Sequence, residues 1–289
     1  MIEFFIGVDG GGSGTRVRLV RADGTPLGEG SAGPSGLMHG IDKAWNSVEE
    51  AAAQAFGAAG LPVAPRSAIA IGLGLAGVHN KEWADAFVKA NPGYARVALE
   101  SDGHTTVLGA HAGQPGGIVA LGTGSVAEVR ERDGTHREVS GWGFPAGDEA
   151  SGAWMGLRAV NHMQQVMDGR VPGDAFADEI IAACGGHRHA VQVWLANASQ
   201  TTYAQLARII LKHGPSNPVA QAILREAGRQ VELMADALDQ TGTLPIALCG
   251  GLATPLKPWM PPALLARVVP AQGDSAAGAL RLIQHRVKE

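Results

Sequence analysis

Ile6-Gly7-Val8-Asp9-Gly10-Gly11-Gly12-Ser13-Gly14-Thr15-Arg16-Val17-Arg18-Leu19-Val20 decides the fold. A short apolar run leads into an acid and a glycine-rich turn, and an alternating segment leads out. The pattern reads as a β-hairpin whose tip lacks side chains where backbone must approach something closely. Such a turn suits phosphate, because several N–H groups can point at one anion. The donors would come from Gly11, Gly12, Ser13, Gly14 and Thr15. Asp9 stands where a carboxylate would hold a hydrated metal ion beside that phosphate. A plain tight turn, with no ligand, is the competing reading of these residues alone.

Outward from the hairpin, residues 4–8, 15–21 and 26–31 read as three consecutive strands, the last two joined by Asp23-Gly24. A helix over about 41–59 carries Ala44, Val48, Ala51, Ala52 and Ala55 at helical spacing. A strand at 67–75, a short helix at 81–90 and a strand at 96–100 follow. Gly113-Gln114-Pro115-Gly116-Gly117 breaks the pattern and reads as a domain boundary. The design then recurs: a strand over 117–121, the turn Gly122-Thr123-Gly124-Ser125, and a strand over 126–132. Helices fill most of 151–239, a late strand covers 244–249, and a final helix covers 275–286. Each half thus opens with a strand, a glycine turn and a strand.

The chain has 289 residues, 45% hydrophobic and 17% charged, enough for a large core in one or two domains. Its net charge of −4 argues against a nucleic-acid or anionic-membrane surface, which would need a basic patch. No window is long and apolar enough for a membrane span, and no signal peptide is expected at the N-terminus. Cys184 and Cys249 lie far apart with no metal-ligand spacing, so a reducing cytoplasm is the expected compartment. The ten histidines form no ligand cluster.

Four further stretches carry chemistry. Gly122-Thr123-Gly124-Ser125 adds two hydroxyls to its amides, so two hairpins would clasp one polyphosphate. Gly250-Gly251, after a buried strand, lets a flat ring such as adenine lie on the backbone; a strand meeting a helix N-terminus is the plainer reading. Asp102, in Glu100-Ser101-Asp102-Gly103, ends a strand where it can accept a proton from a substrate hydroxyl. A helix cap is the commoner role of such an aspartate. The loop from Gly141 through Trp142 and Gly147-Asp148-Glu149 to Gly152 suits a sugar, its C–H face near Trp142 and its hydroxyls on Asp148 or Glu149. The plainer reading makes Asp148 a cap and Trp142 core. Gly72-Leu73-Gly74-Leu75-Ala76-Gly77 matches a dinucleotide fingerprint formally, but it follows a late strand of its half and its helix starts late. No G-K pair exists, which excludes a P-loop.

Together these residues resemble the acetate and sugar kinase/actin-like ATPase superfamily, and within it the N-acetylglucosamine kinase and BadF/BadG-type group. Asp9–Thr15 and Leu121–Ser125 are similar to its two phosphate motifs, and Leu248–Leu252 to its adenosine motif. The Gly141-Trp142-Gly143 and Gly147-Asp148-Glu149 loop is the most specific likeness. The resemblance implies an α/β fold of two ribonuclease H-like domains with an interdomain cleft. The first would span 1–113 and the second 114–274 with a helical insertion, the last helix (275–289) packing back on the first domain. It further implies ATP and Mg²⁺ as cofactors, Asp9 as metal ligand, Asp102 as catalytic base, and Gly141, Trp142, Thr123, Asp148 and Asp102 around the sugar. The expected activity is phosphorylation of an amino-sugar hydroxyl, O6 above all, by a homodimer with no nucleic-acid or membrane partner. A nucleotide-dependent activase or sensor is the competing class. One departure stands out: where the sugar kinases place an asparagine after Gly33-Pro34-Ser35, this chain has Gly36-Leu37-Met38-His39.

Overall fold

The computed structural model describes residues 1–288. By contacts the chain divides into two compact units. The first comprises residues 1–116, 129–136 and 270–289, the second 117–128 and 137–269.

The opening quoted above folds as β1 (Phe4–Gly10) and β2 (Thr15–Arg21), followed by β3 (Pro26–Ala32). In β2, Val17 and Leu19 point into the core while Arg16 is exposed and Arg18 half-buried, the period of two that a one-sided strand requires. α1 (Ile41–Ala58) buries Ala44, Val48, Ala51, Ala52 and Ala55, the stripe expected from spacing. Then come β4 (Ile69–Leu75), α2 (Lys81–Lys89), β5 (Arg96–Glu100) and α3 (Asp102–Ala110). α3 is not evident from periodicity, because its Gly103-His104-Thr105-Thr106 start is neither apolar nor strongly helix-forming.

The sheet order is β3-β2-β1-β4-β5, antiparallel among the first three strands and parallel from β1 to β5. One face packs Ile6, Val8, Ile71, Leu73 and Trp45 into a core, with the Trp45 and Phe87 rings stacked at 4.2 Å. The other face carries Phe5, Ala70 and Ala98 against Ile283 of the C-terminal helix, which is counted below as α12. That face is lined with small residues. Gly7 and Gly72 are cross-strand partners, and a Cβ on either would lie 2.2 or 2.0 Å from a carbonyl oxygen, of Ala276 or Ala279. Gly72 sits inside the strand to admit α12 and Gly74 to admit Thr105 of α3, while Gly77 takes φ +94° in the turn beyond, which accounts for the fingerprint-like spacing without a dinucleotide.

In the second sheet the order is β10-β9-β6-β7-β8, built from β6 (Gly116–Leu121), β7 (Ser125–Arg130), β8 (His136–Ser140), β9 (Ile246–Cys249) and β10 (Val268–Val269). β6 and β9 are parallel, as are β9 and β10. Between β8 and β9 lie α4 (Gly152–Met167), α5 (Ala175–Ala183), α6 (Arg188–Asn197), α7 (Gln200–Gln205), α8 (Ala207–His213) and α9 (Pro218–Leu238). After β9 come α10 (Ala253–Leu256) and α11 (Pro262–Leu265), and after β10 comes α12 (Ser275–Arg286). β8 is too polar, and β10 at two residues too short, to register as strands by alternation. The late strand starts at Ile246 rather than 244, because Leu244 donates its N–H to the Asp239 carboxylate at 2.6 Å instead of to a ladder. No described helix is long and apolar enough to cross a membrane.

Candidate functional site

In the first unit the glycine tip closes on itself. The Gly11 amide donates to the Gly14 carbonyl at 3.0 Å, and Gly10 and Thr15 pair across the strands. The amides of Gly12, Ser13 and Gly14 donate to no backbone carbonyl among the described residues, so the tip offers three donors in a row. Thr15 is different: its hydroxyl is buried and bonded to the Gly33 carbonyl at 2.6 Å and to Ser35 Oγ at 2.7 Å. Its side chain braces the turn from behind. Gly36 donates to the Gly11 carbonyl at 3.0 Å, which holds the Gly36–His39 segment against the tip. Leu37 is buried there, while Met38 and His39 are exposed in the position of the missing asparagine.

Asp9 is the last acid of β1. Its Oδ2 accepts from Arg16 Nη2 at 2.6 Å and from Nε at 3.2 Å. The ion pair holds the Arg16 guanidinium more firmly protonated than usual. Among the described residues no three metal-ligating side chains converge. Mg²⁺ takes one or two carboxylates and completes its shell with water and substrate phosphates, so a single carboxylate at Asp9 fits it.

Asp102 is the first helical residue of α3, and the cap is Ser101, whose hydroxyl accepts from the His104 amide at 3.0 Å. The commoner role for a strand-end aspartate is thus filled by its neighbour. Gly103 N–H reaches Asp102 Oδ1 at 3.1 Å, and the Thr106 hydroxyl donates to the Asp102 carbonyl at 2.6 Å, so the turn that carries the carboxylate is tied down. Two residues on, His104 lies 4.3 Å from the His136 ring. Burial first, then the positive fields of His136 and Arg130, push it from 6.5 down to about 4. The unfolded chain takes up that proton near 6.5 and the folded one only near 4. Stability attributable to His104 is present above 6.5 and should fall as pH drops through this window. Urea titrations of the wild type and His104→Gln across it should show a shallower acid limb in the variant; equal slopes would refute the assignment.

The second unit holds its own glycine turn. The Gly122 amide donates to the Gly124 carbonyl at 2.9 Å, and the first amides of α4, Gly152 and Ala153, donate to the Gly122 and Thr123 carbonyls. Thr123 is exposed and Gly124 half-buried, their amides without a backbone partner among the described residues. Ser125 is buried and its hydroxyl donates to the Glu149 carbonyl at 2.6 Å, so like Thr15 it ties the loop rather than presenting a donor. Gly250 has φ +85°, and a Cβ there would meet the Leu121 carbonyl oxygen at 2.3 Å, a position only glycine fills. Nothing lies within 4 Å of a Cβ built on Gly251, so that peptide has open space over it.

Asp148 and Trp142 both depart from their plainer readings. The cap of α4 is Ser151, which accepts from the Trp154 amide at 3.1 Å. Asp148 instead turns inward with φ +59° and is 5% exposed. Its Oδ1 accepts from the Gly143 amide at 3.1 Å and its Oδ2 from Gln200 Nε2 at 2.6 Å. Burial pushes its carboxyl above the usual range, and the Gly143 and Gln200 bonds act against that push. Trp142 is 85% exposed, an indole laid open beside a fixed carboxylate rather than a core residue. A Cβ on Gly124 would lie 2.6 Å from Asp148 Oδ2 and 3.1 Å from Gln200 Nε2, so the glycine turn passes directly over this pair. Gln200 is absent from the sequence reading. It opens α7 after the Ser199–Thr202 capping box, and nothing local marks it; only the packing of α7 on α4 brings it here.

A profile of the BadF/BadG/BcrA/BcrD ATPase family matches residues 6–260. The chain is 31% identical to the glucosamine kinase of Vibrio cholerae over 280 residues, 96% of this chain and 95% of that protein. It is 25% identical over 243 residues to an N-acetylmuramic acid/N-acetylglucosamine kinase of Clostridium acetobutylicum, covering 82% of this chain and 79% of that one. Its backbone superposes on a candidate N-acetylglucosamine kinase of Chromobacterium violaceum with a TM-score of 0.92 at 50% identity, over 98% of this chain and 99% of the other. With two mixed five-stranded sheets of the sugar kinase/actin-like ATPase kind, the chain belongs to the BadF/BadG/BcrA/BcrD ATPase family.

Proposed function

We propose that this chain is an ATP-dependent kinase that phosphorylates an amino sugar, with O6, the one primary hydroxyl of a hexosamine ring, as the acceptor. The observation that carries the reading is Asp148: a buried carboxylate fixed on both oxygens by neutral amide donors, beside an open indole. Each carboxylate oxygen has a second lone pair, so Asp148 can accept sugar hydroxyls without moving. The Trp142 ring is free to cover the apolar face of a pyranose.

In this reading the three amides of Gly12–Gly14 and those of Thr123 and Gly124 hold phosphate oxygens, and the open peptide at Gly251 receives the adenine. Asp102 orients the attacking hydroxyl and takes its proton. Asp9 is the donor for Mg²⁺, which when bound supplies charge neutralisation on the β- and γ-phosphates. Arg16, already on Asp9, lies at the edge of the same turn. Phosphoryl transfer is a loose process, so fixed amides and charge account for most of the acceleration.

The activase alternative needs exposed cysteines to share an iron–sulfur cluster. Cys184 is buried and Cys249 half-buried in β9, and burial pushes both thiols up to about 11, away from the thiolate a cluster requires.

Asp148→Asn should raise the KM for the sugar about 10- to 100-fold, the worth of a charged hydrogen bond to substrate, and leave the KM for ATP unchanged. Gln200→Leu should move the same constant in the same direction by less. Equal changes in both KM values would take Asp148 out of sugar recognition.

A further inference from the structure

The first unit also contains a cavity of about 670 Å³ that none of the roles above uses. Its wall includes Glu100, His104, Arg130, Arg281, Arg286 and Lys288. Among the described residues of that wall, four permanent cations thus stand with one carboxylate. Arg130, Arg281 and Lys288 form no ion pair among the described residues. Like charges gathered around a concave wall raise the local potential, because the surrounding low-dielectric protein focuses the field. Basic residues at the end of α12 would ordinarily be explained as partners of the helix dipole. That explanation covers Arg286 and Lys288 only. Arg281 lies more than one turn before the helix end, and Arg130 comes from β7. His104 is kept neutral chiefly by its burial, then by His136, with Arg130 adding to the same push.

We propose that this cavity binds a small phosphate-bearing anion, at a site separate from the glycine turns. Its volume falls within the range of small-molecule sites, so a hexose phosphate fits as readily as inorganic phosphate. Arg130 and Arg281 supply planar pairs of donors for phosphate oxygens, and Lys288 a point charge at the rim. The uncharged His104 ring contributes one further hydrogen bond. Glu100 and His104 stand two residues to either side of Asp102, so an occupant draws on the turn that carries that carboxylate. The inference does not depend on the kinase reading.

The test titrates inorganic phosphate and, separately, glucosamine 6-phosphate into the full chain by calorimetry, with the nucleotide turns first saturated by a non-hydrolysable ATP analogue. The double variant Arg281→Glu/Lys288→Glu, both residues exposed, is measured alongside, with its melting temperature as the check on folding. Binding that survives the analogue and weakens at least about tenfold in the variant is expected. Tighter binding of the sugar phosphate marks it as the source, and equal binding marks free phosphate. Binding abolished by the analogue, unchanged in the folded variant, or undetectable at millimolar concentration overturns the proposal. Should the double variant fail to fold, Arg281→Gln alone gives the same reading.

Discussion

Replacing Asp102 by Asn is expected to slow sugar phosphorylation roughly a hundred- to ten-thousand-fold, the usual worth of a positioned general base. Asn keeps the size of the side chain and its Oδ1, which accepts from Gly103 at 3.1 Å. The cap of α3 is Ser101, so the helix keeps its cap and loses only the favourable charge of a first-turn carboxylate. What disappears is the capacity to take a proton and the charge that orients the hydroxyl. Nucleotide affinity should stay within about twofold, because no phosphate donor has been touched. The check is kcat with saturating sugar, alongside analogue binding by calorimetry. Full turnover in the variant would remove Asp102 from the chemistry, and a parallel loss of nucleotide binding would make its role structural.

Gly72→Ala should cost about 3 kcal/mol of stability or more, a large fraction of the roughly 5–15 kcal/mol that holds an ordinary domain folded. The added methyl would lie 2.0 Å from the Ala279 carbonyl oxygen and 2.9 Å from its carbon. Both are backbone atoms of α12, so no side chain can swing aside. The helix must lift, and its close contact with Gly7, where a Cβ would likewise stand 2.2 Å from the Ala276 carbonyl oxygen, fails with it. Gly57→Ala is the control: it lies in exposed helix with nothing within 4 Å, and should stabilise by about 0.5–1 kcal/mol. Urea unfolding of the two variants against wild type decides the matter. A Gly72→Ala protein as stable as wild type would show that α12 does not rest on β1 and β4 as described.

The hairpin between β1 and β2 was legible because Gly-rich tips and period-two alternation are local signals. So were α1, with its alanine stripe, and the second glycine turn after β6. Asp102 and Asp148 were legible as candidates, but not the reason for preferring function to capping. That reason lies in the helix ends as folded: Ser101 and Ser151 take the caps by accepting from the amides three residues on, so neither aspartate serves there. Ser125 was expected to add a hydroxyl donor, and Thr15 a backbone amide. Their side chains instead point inward and brace the turns, because a buried hydroxyl must find a partner and the Gly33 and Glu149 carbonyls lie within reach. Gln200 could not be read at all, since 52 residues separate it from Asp148 and only helix packing joins them. The Gly72–Gly77 run, set aside as a cofactor site on its place in the chain, has a packing explanation. Gly72 and Gly74, demanded by close helix–sheet contacts, and Gly77, at φ +94° in the turn beyond, reproduce a cofactor fingerprint by spacing alone.

Phosphorus NMR of the reaction with ATP, Mg²⁺ and each of glucosamine, N-acetylglucosamine and N-acetylmuramic acid tests the amino-sugar kinase reading most directly. The account predicts a phosphomonoester on one of these sugars, coupled to the C6 protons, growing in step with ADP and absent when sugar is left out. Release of inorganic phosphate at the same rate with and without sugar, and no sugar phosphate, would contradict it.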